Sequence, residues 1–430
     1  MARFLLSAMP FTGHVAPMLA LAEALVARGH DVRVHTGSAF AAKTAATGAA
    51  LVPWRQAPDF DENDLTATFP RLRGKKGIRQ VFVNIADLMI GTAPAQVADL
   101  ATEWDREPWD ALVGDEISVG AVLFAERSSC RFATLAVLPL NLASCEGPPS
   151  GMGLTPGTTP LMRVRDALLR AALPLGGLPL RGPLARARSD TGLPRSSATF
   201  EQTVFSRGLV LASGSPLLDF GRTDRPSHVQ FVGVLARSTI AAFDPPGWWR
   251  DLDDREVVCV TQGTQNIDPA DLLRPALDAL AGEDVLVVAT TGIPGRDELP
   301  FPVPANARVA GFLPYAHLLP HVDVLVTNGG WGGTLTALGH GIPLVVAGGD
   351  LDKPEVAARV AWSGAGVNLR TGTPSTRAVR EAVQRVRTEP AFRAAAARVA
   401  TQLQLLGGAD TAASALEAFA AEGVSRPTDR

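Results

Sequence analysis

The sequence predicts an α/β protein built from two doubly wound halves that face a cleft. Short, continuously apolar runs alternate with helical stretches near the N-terminus, and the same alternation restarts more clearly at Glu256. The chain has 430 residues, too long for one ordinary core, and 46% of them are apolar, which is ample for burial. Between the two regions, residues 216–250 carry Asp224-Arg225-Pro226, Asp244-Pro245-Pro246-Gly247 and the pair Trp248-Trp249, and read as a linker.

The elements follow in order. Residues 3–9, RFLLSAM, form a buried strand. The loop PFTGH leads into a helix from about Ala16 to Arg28, with Pro17 in its first turn and Gly29 ending it. DVRVHT is the second strand, so the opening is one βαβ unit with a right-handed crossover. Further strands are predicted at 110–114 and 132–137. Residues 146–195, rich in Gly, Pro and Arg, read as loop with a short helix near 161–172. In the second half, strands are predicted at VVCVTQ, DVLVVAT, ARVAGF, VDVLVT and PLVVAG. Helices are predicted over 269–282, 332–341, 354–366, 376–388 and 390–405. The expected division is 1–215, a linker at 216–250, 251–407, and a C-terminal helix and tail at 408–430 that can pack back on the first half.

Composition excludes several classes. A net charge of -3 and a sequence pI near 6.2 leave no basic footprint for nucleic acid. Cys130, Cys145 and Cys259 lie far apart and form no metal pattern, which fits a reducing cytoplasm. No apolar run reaches the roughly 18 residues a membrane span needs. Pro10, Gly13, His14 and Pro17 break the apolar core that a signal peptide would require. Only four of the 40 basic residues are lysine, a skew that points to a GC-rich genome more than to function.

The densest motif is Thr327 to Thr334, TNGGWGGT, a glycine loop between an apolar strand and a helix. It is not a Walker loop, because Thr334 and not lysine follows Gly333. It is not the dinucleotide fingerprint, because Leu335 occupies the last glycine position. Backbone N–H groups at a helix N-terminus still suit a phosphate; a tight turn with glycines for packing is the plainer alternative. His317 and His321 have a metal-like i, i+4 spacing, but Pro320 lies between them and no third ligand is evident, so a helix-surface role is preferred.

Several segments recur in one order: G-H-V-A-P-M (13–18), V-Q-F-V-G (229–233), G-F-L-P-Y (311–315), N-G-G-W-G-G-T (328–334), H-G-I-P (340–343) and D-K-P-E-V-A-A-R-V (352–360). The series resembles the family-one glycosyltransferases of the GT-B fold, of the macrolide and natural-product type. The resemblance covers most of the chain and is weak between about 60 and 210. It implies two Rossmann-like domains facing a deep cleft, the first binding the acceptor and the second the nucleotide sugar. It also implies an inverting, metal-independent transfer from a UDP- or dTDP-sugar to a hydroxyl of an apolar small molecule. The donor is then a co-substrate and no cofactor is expected. A monomer or homodimer is expected.

Carried over residue by residue, the resemblance makes His14 the catalytic base and Asp115 the carboxylate that orients it, with a helix cap as the alternative role of His14. Donor contacts are expected from Thr261, Thr264, Phe312, the Leu313 backbone, Asn328, Gly330, Trp331, Gly332, Gly333, Thr334, Asp352 and Lys353. A core position is the alternative for Phe312, and a surface ion pair with Glu355 the alternative for Lys353. The chain departs from the family pattern at four places. Asn328 replaces a histidine, Gly333 a Ser or Thr, Thr336 a glutamate that holds the ribose, and Lys353 a glutamine that reads sugar hydroxyls. An amide can donate to a phosphate but never becomes cationic. Asp350-Leu351-Asp352 spells the metal-binding D-x-D of another glycosyltransferase class, which the helix N-terminus replaces here. The competing readings are a sugar-nucleotide epimerase of the same fold and a non-catalytic sugar-nucleotide-binding partner. A nicotinamide dehydrogenase is disfavoured by the missing fingerprint.

Overall fold

The structure, a computed structural model, describes residues 1–75, 77–237, 243–263 and 268–422. Its first sheet has seven strands: β1 (Arg3–Ser7), β2 (Asp31–Thr36), β3 (Ala50–Pro53), β4 (Ala111–Asp115), β5 (Phe132–Ala136), β6 (Leu209–Ser213) and β7 (Val229–Gly233), in the order β3-β2-β1-β4-β5-β6-β7. The second has six: β8 (Val257–Thr261), β9 (Leu286–Thr290), β10 (Ala307–Ala310), β11 (Val324–Thr327), β12 (Leu344–Val346) and β13 (Gly366–Asn368), in the order β10-β9-β8-β11-β12-β13. The strands within each sheet pair in parallel. Parallel sheets need cover on both faces, which is why these strands read as unbroken apolar runs. In β1, Phe4 and Leu6 enter one core and Leu5 the other, because successive side chains leave a strand on opposite faces.

Each sheet reverses its strand order once. In the first, β1 and β4 are neighbours at the reversal, with Ser7 level with Gly114. In the second, β8 and β11 are neighbours, with Thr261 level with Thr327. Such points leave a crevice beyond the strands' carboxyl ends. Both His14 with Asp115 and the Thr327–Thr334 loop follow from strands at these reversals.

The first helix starts earlier than the sequence pattern indicates, at Thr12, and places Gly13 and His14 in its first turn. The Glu62 carboxylate accepts from the Thr12 backbone N–H at 2.9 Å and also from its hydroxyl, which anchors that end. The region 146–195 contains more helix than expected: Pro160–Gly176 and Leu178–Asp190 are both helical. Pro160 and Pro179 sit in first turns, where the missing N–H costs nothing. The segment read as a linker begins with structure too, since β7 is an edge strand of the first sheet. The Gly408–Ala421 helix packs against the Thr12–Ala27 helix and β7, placing Ala412, Ala413 and Leu416 beside Phe4 and Leu6.

One helical stretch, Arg79–Arg106, is long and apolar enough to cross a membrane by length and composition. Its Ile90, Ala93, Val97 and Leu100 are buried among residues of the first sheet's core.

Candidate functional site

His14 and Asp115 meet at the carboxyl edge of the first sheet. The His14 Nδ1 lies 3.2 Å from the Asp115 Oδ2. Asp115 is fully buried and His14 is 9% exposed. The aspartate is fixed by two further donors, the Met9 N–H at 3.0 Å to Oδ2 and the Ile117 N–H at 2.9 Å to Oδ1. Burial alone pulls an imidazole pKa down. Here the bonded Asp115 carboxylate, with Glu116 and Asp352 behind it, more than offsets burial and holds His14 above its ordinary value. Asp352 belongs to the second half, so the imidazole feels carboxylates from both sides of the cleft.

Glu116 was not singled out from the sequence, although it directly follows Asp115. Its carboxylate accepts from the Val137 N–H at 2.9 Å and the Leu138 N–H at 2.6 Å, tying down the loop after β5. Burial pushes this carboxyl up to about 7.

On the opposite side, the loop after β11 turns through Gly329, whose φ of 91° favours glycine, and enters the Trp331–Gly339 helix. Asn328 holds the turn. Its Oδ1 accepts from the Gly330 N–H at 3.3 Å, and its Nδ2 donates to the Gln262 carbonyl. A Cβ built at Gly332 meets nothing within 4 Å, so the first helical turn is open to an incoming group. Gly333 lies against the Tyr315 ring, 3.4 Å from a Cβ placed there, an ordinary packing distance. The Thr334 hydroxyl is buried and has no hydrogen-bond partner among the described residues. The Trp331 side chain points elsewhere: its indole N–H donates to the Ser213 hydroxyl at 2.9 Å, across to the first sheet. Only the backbone of Trp331 is left for the loop. Thr336 turns its hydroxyl back to the Gly332 carbonyl at 2.8 Å.

Thr261 ends β8, and its hydroxyl is hydrogen-bonded to Tyr315, the single tyrosine of the chain. Thr264 lies outside the described residues. Phe312 is 58% exposed, which rules out the core position, while Leu313 is buried. Asp352 stands at the N-cap position of the Lys353–Ser363 helix, and burial pushes its carboxyl up. The Lys353 Nζ pairs with Asp350 at 2.9 Å, not with Glu355. Glu355 faces inward, where it accepts from the Arg359 Nε at 3.0 Å and from the Gly153 N–H at 3.1 Å. His321 pairs with Asp253 at 3.2 Å and His317 stacks on Phe243, apart from each other's chemistry. Among the described residues, no three of His, Cys, Asp or Glu cluster as a metal ion would require.

A cavity of about 1170 Å³ lies beside this loop, and of the expected donor residues Asn328 and Lys353 line it. Gln262, Asn328, Gly348, Asp350 and Lys353 line it from the second half, and Leu154, Met162 and Arg165 from the first. It is at the upper end of small-molecule sites, which run to about 1,000 Å³. His14 and Asp115 do not line it; the link to its Asp350 and Lys353 wall is the charge influence between His14 and Asp352. Gln262 is a second residue missed in the sequence: besides accepting from Asn328, it keeps a buried Oε1 without a partner among the described residues.

Residues 274–405 match the family described as erythromycin biosynthesis protein CIII-like, C-terminal domain. Over 401 residues the chain is 43% identical to 4'-demethylrebeccamycin synthase of Lentzea aerocolonigenes, covering 93% of this chain and 94% of that protein. It is 32% identical to UDP-glucosyltransferase B1 of Starmerella bombicola, covering 96% and 97% of the two chains. Among solved structures, the calicheamicin glycosyltransferase CalG4 superposes with a TM-score of 0.73 at 21% identity, over 99% of this chain and 100% of that one. The glycosyltransferase VinC in complex with dTDP gives 0.70 at 22% identity, over 98% and 100%. With two parallel sheets facing one cleft and full-length relatives of this kind, the chain belongs to the family-one glycosyltransferases of the natural-product type, enzymes of the GT-B fold.

Proposed function

We propose that the enzyme transfers a sugar from UDP or dTDP to a hydroxyl of an apolar small molecule, with inversion and without a metal. The observation that carries this reading is the buried His14–Asp115 pair, 3.2 Å apart at the carboxyl edge of the first sheet. In the proposed step, His14 takes the acceptor proton as the hydroxyl oxygen attacks the anomeric carbon opposite the diphosphate. Asp115 orients the imidazole and balances the imidazolium, as in hydrolase triads. The bond from the anomeric carbon to the diphosphate oxygen breaks, and the open N-terminus of the Trp331–Gly339 helix receives the departing charge. Gly330, Trp331, Gly332 and Gly333 would contribute backbone N–H groups, and Thr334 its unpartnered hydroxyl. Asn328 would act mainly by holding this loop in shape.

Asp352 and Lys353 would read the sugar hydroxyls, and the exposed Phe312 would stack on the base with the Leu313 backbone at its edge. The names of relatives support both nucleotides: one is a UDP-glucosyltransferase, and VinC was solved with dTDP. The three cysteines are free thiols, which supports a reducing cytoplasm. The test is a panel of UDP- and dTDP-sugars with apolar acceptors, read by product mass and by the anomeric configuration in NMR. A new glycoside of inverted configuration is expected. An epimerised donor, or binding without turnover across the panel, would replace this reading by one of its competitors.

A further inference from the structure

The helix Pro160–Gly176 is amphipathic in the wrong sense for a core helix. Among its residues only Asp166 is buried, where it accepts from the Gly157 N–H at 2.7 Å. Leu161, Val164, Leu168 and Leu175, spaced i, i+3, i+7 and i+14, form one stripe and are all exposed, Leu161 by 80% and Leu168 by 66%. Leu178, beginning the next helix, extends the stripe and is 47% exposed. Large apolar side chains in one continuous exposed row mark an interaction surface, whereas scattered ones do not.

The surrounding charge selects the partner. Across the two helices, Pro160 to Asp190, the sequence has six arginines and two aspartates, in a chain whose net charge is -3. The aspartates are the buried Asp166 and, at the far end, Asp190. Arg163, Arg181 and Arg186 are exposed and form no ion pair among the described residues. A twofold contact between copies would bring these like charges together, with Asp190 the one exposed acid on the two helices to meet them. An apolar stripe set among arginines instead suits an anionic lipid surface, on which such a helix lies in the interface plane.

We propose that the Pro160–Gly176 helix docks the enzyme reversibly on an anionic lipid bilayer. Met162 and Arg165, on neighbouring rows of the same helix, line the 1170 Å³ cavity, so docking holds one rim of that cavity at the lipid surface.

The test is flotation of the full chain with phosphatidylcholine vesicles, with and without phosphatidylglycerol, alongside light scattering for oligomeric state. The protein should float with the anionic vesicles only, and high salt should release it. The variant Leu161→Ser/Leu168→Ser/Leu175→Ser should stay in solution, its partitioning lower by about tenfold or more, with an unchanged Tm. The charge variant Arg181→Glu/Arg186→Glu keeps the stripe and should also bind more weakly. Absence of flotation, equal flotation with neutral vesicles, or equal flotation by either variant would overturn the proposal. So would a wild-type dimer that the serine variant dissociates, because the stripe would then belong to a second copy.

Discussion

The Arg359 guanidinium donates to the Asp219 carboxylate at 3.0 Å, and both side chains are 1% exposed. One group comes from the Lys353–Ser363 helix and the other from the segment after β6, so the pair bridges the two halves in a dry setting. Arg359 also donates to the Leu140 and Leu218 carbonyls and to Glu355, and lies over the Phe220 ring at 5.0 Å. Removing one partner of a buried pair costs about 3–5 kcal/mol when the other charge is left stranded. In Asp219→Ala the Glu355 carboxylate still holds the Arg359 Nε at 3.0 Å, so the protein should be destabilised by less than that, about 1–3 kcal/mol for the lost charged hydrogen bonds, read as a lower urea midpoint. Arg225, which also reaches Asp219 at 3.2 Å, would lose its partner as well, but it is partly exposed and water can take over. A midpoint within error of wild type would mean that Glu355 alone satisfies Arg359.

His14→Ala should lower turnover by roughly 10²–10⁴-fold, the usual worth of a positioned general base. Donor affinity, by calorimetry, should stay within a few-fold, since the base is proposed to touch the acceptor. Asp115→Asn should lose less, and the double variant should be little worse than His14→Ala, because the two act as a unit. Near wild-type turnover of folded His14→Ala on an alkyl hydroxyl would remove histidine from the mechanism.

The raised His14 pKa has a signed consequence for pH. A base works only when neutral, so turnover should fall as pH drops through a value above the ordinary 6.5. The same shift favours protonated His14 in the folded state. Its contribution to stability is present below the unfolded pKa and is lost as pH rises through the folded one. Asp115→Asn removes the main raising charge, and the acid limb of turnover should move to lower pH. Glu116 titrates nearby, at about 7, so a limb that persists in Glu116→Gln is assigned to His14. An acid limb unmoved by Asp115→Asn would contradict the assignment.

Turnover should survive EDTA with no added magnesium, because the helix N-terminus is proposed to take the diphosphate charge. Asp350 of the D-x-D sequence is already engaged by Lys353 at 2.9 Å. Complete loss on chelation, restored by a divalent ion, would return the D-x-D to consideration.

Lys353→Gln should change the ranking of donor sugars, and Asp352→Ala should lower turnover while free nucleoside diphosphate binds nearly as before. A hydrogen bond to a charged group contributes about 1.5–3 kcal/mol, so the Asp352 effect should be tenfold or more. Unchanged kinetics in both variants would leave the pair a structural turn, held by Leu351 at a φ of 52°.

The parts of this molecule legible in the sequence are those where local pattern and final environment agree. Val257–Thr261 and Leu286–Thr290 are apolar throughout because both sheet faces are covered. His14 and Asp115 were legible because each follows a recognisable strand, and parallel strands end on one edge. The Pro160–Gly176 helix was legible over 161–172, and its last turn was hidden because Pro174 reads as a breaker although it falls inside the helix. β7 was hidden by its edge position, with Gln230 exposed. Glu355 and Arg359 were visible as an i, i+4 pair, but nothing local indicates that they turn inward toward Asp219, 140 positions away in the chain. The engagement of the Trp331 indole with Ser213 has the same origin.

The Gly408–Ala421 helix gives the chain an awkward order of synthesis. Ala412, Ala413, Leu416 and Ala420 complete a core whose other walls are Phe4, Leu6 and Val34, among the first residues made. On the ribosome, the first half must wait, with that apolar face bare, until nearly the whole polypeptide has emerged. At roughly 5–20 residues per second the wait lasts tens of seconds. The second half has all its strands by residue 368, but its cores also take Val379, Val383, Val399 and Leu403, so it too waits for later helices. Both halves therefore finish only as the last helices emerge, and a message truncated shortly before codon 408 would release a chain whose earliest-made half has no lid for its core.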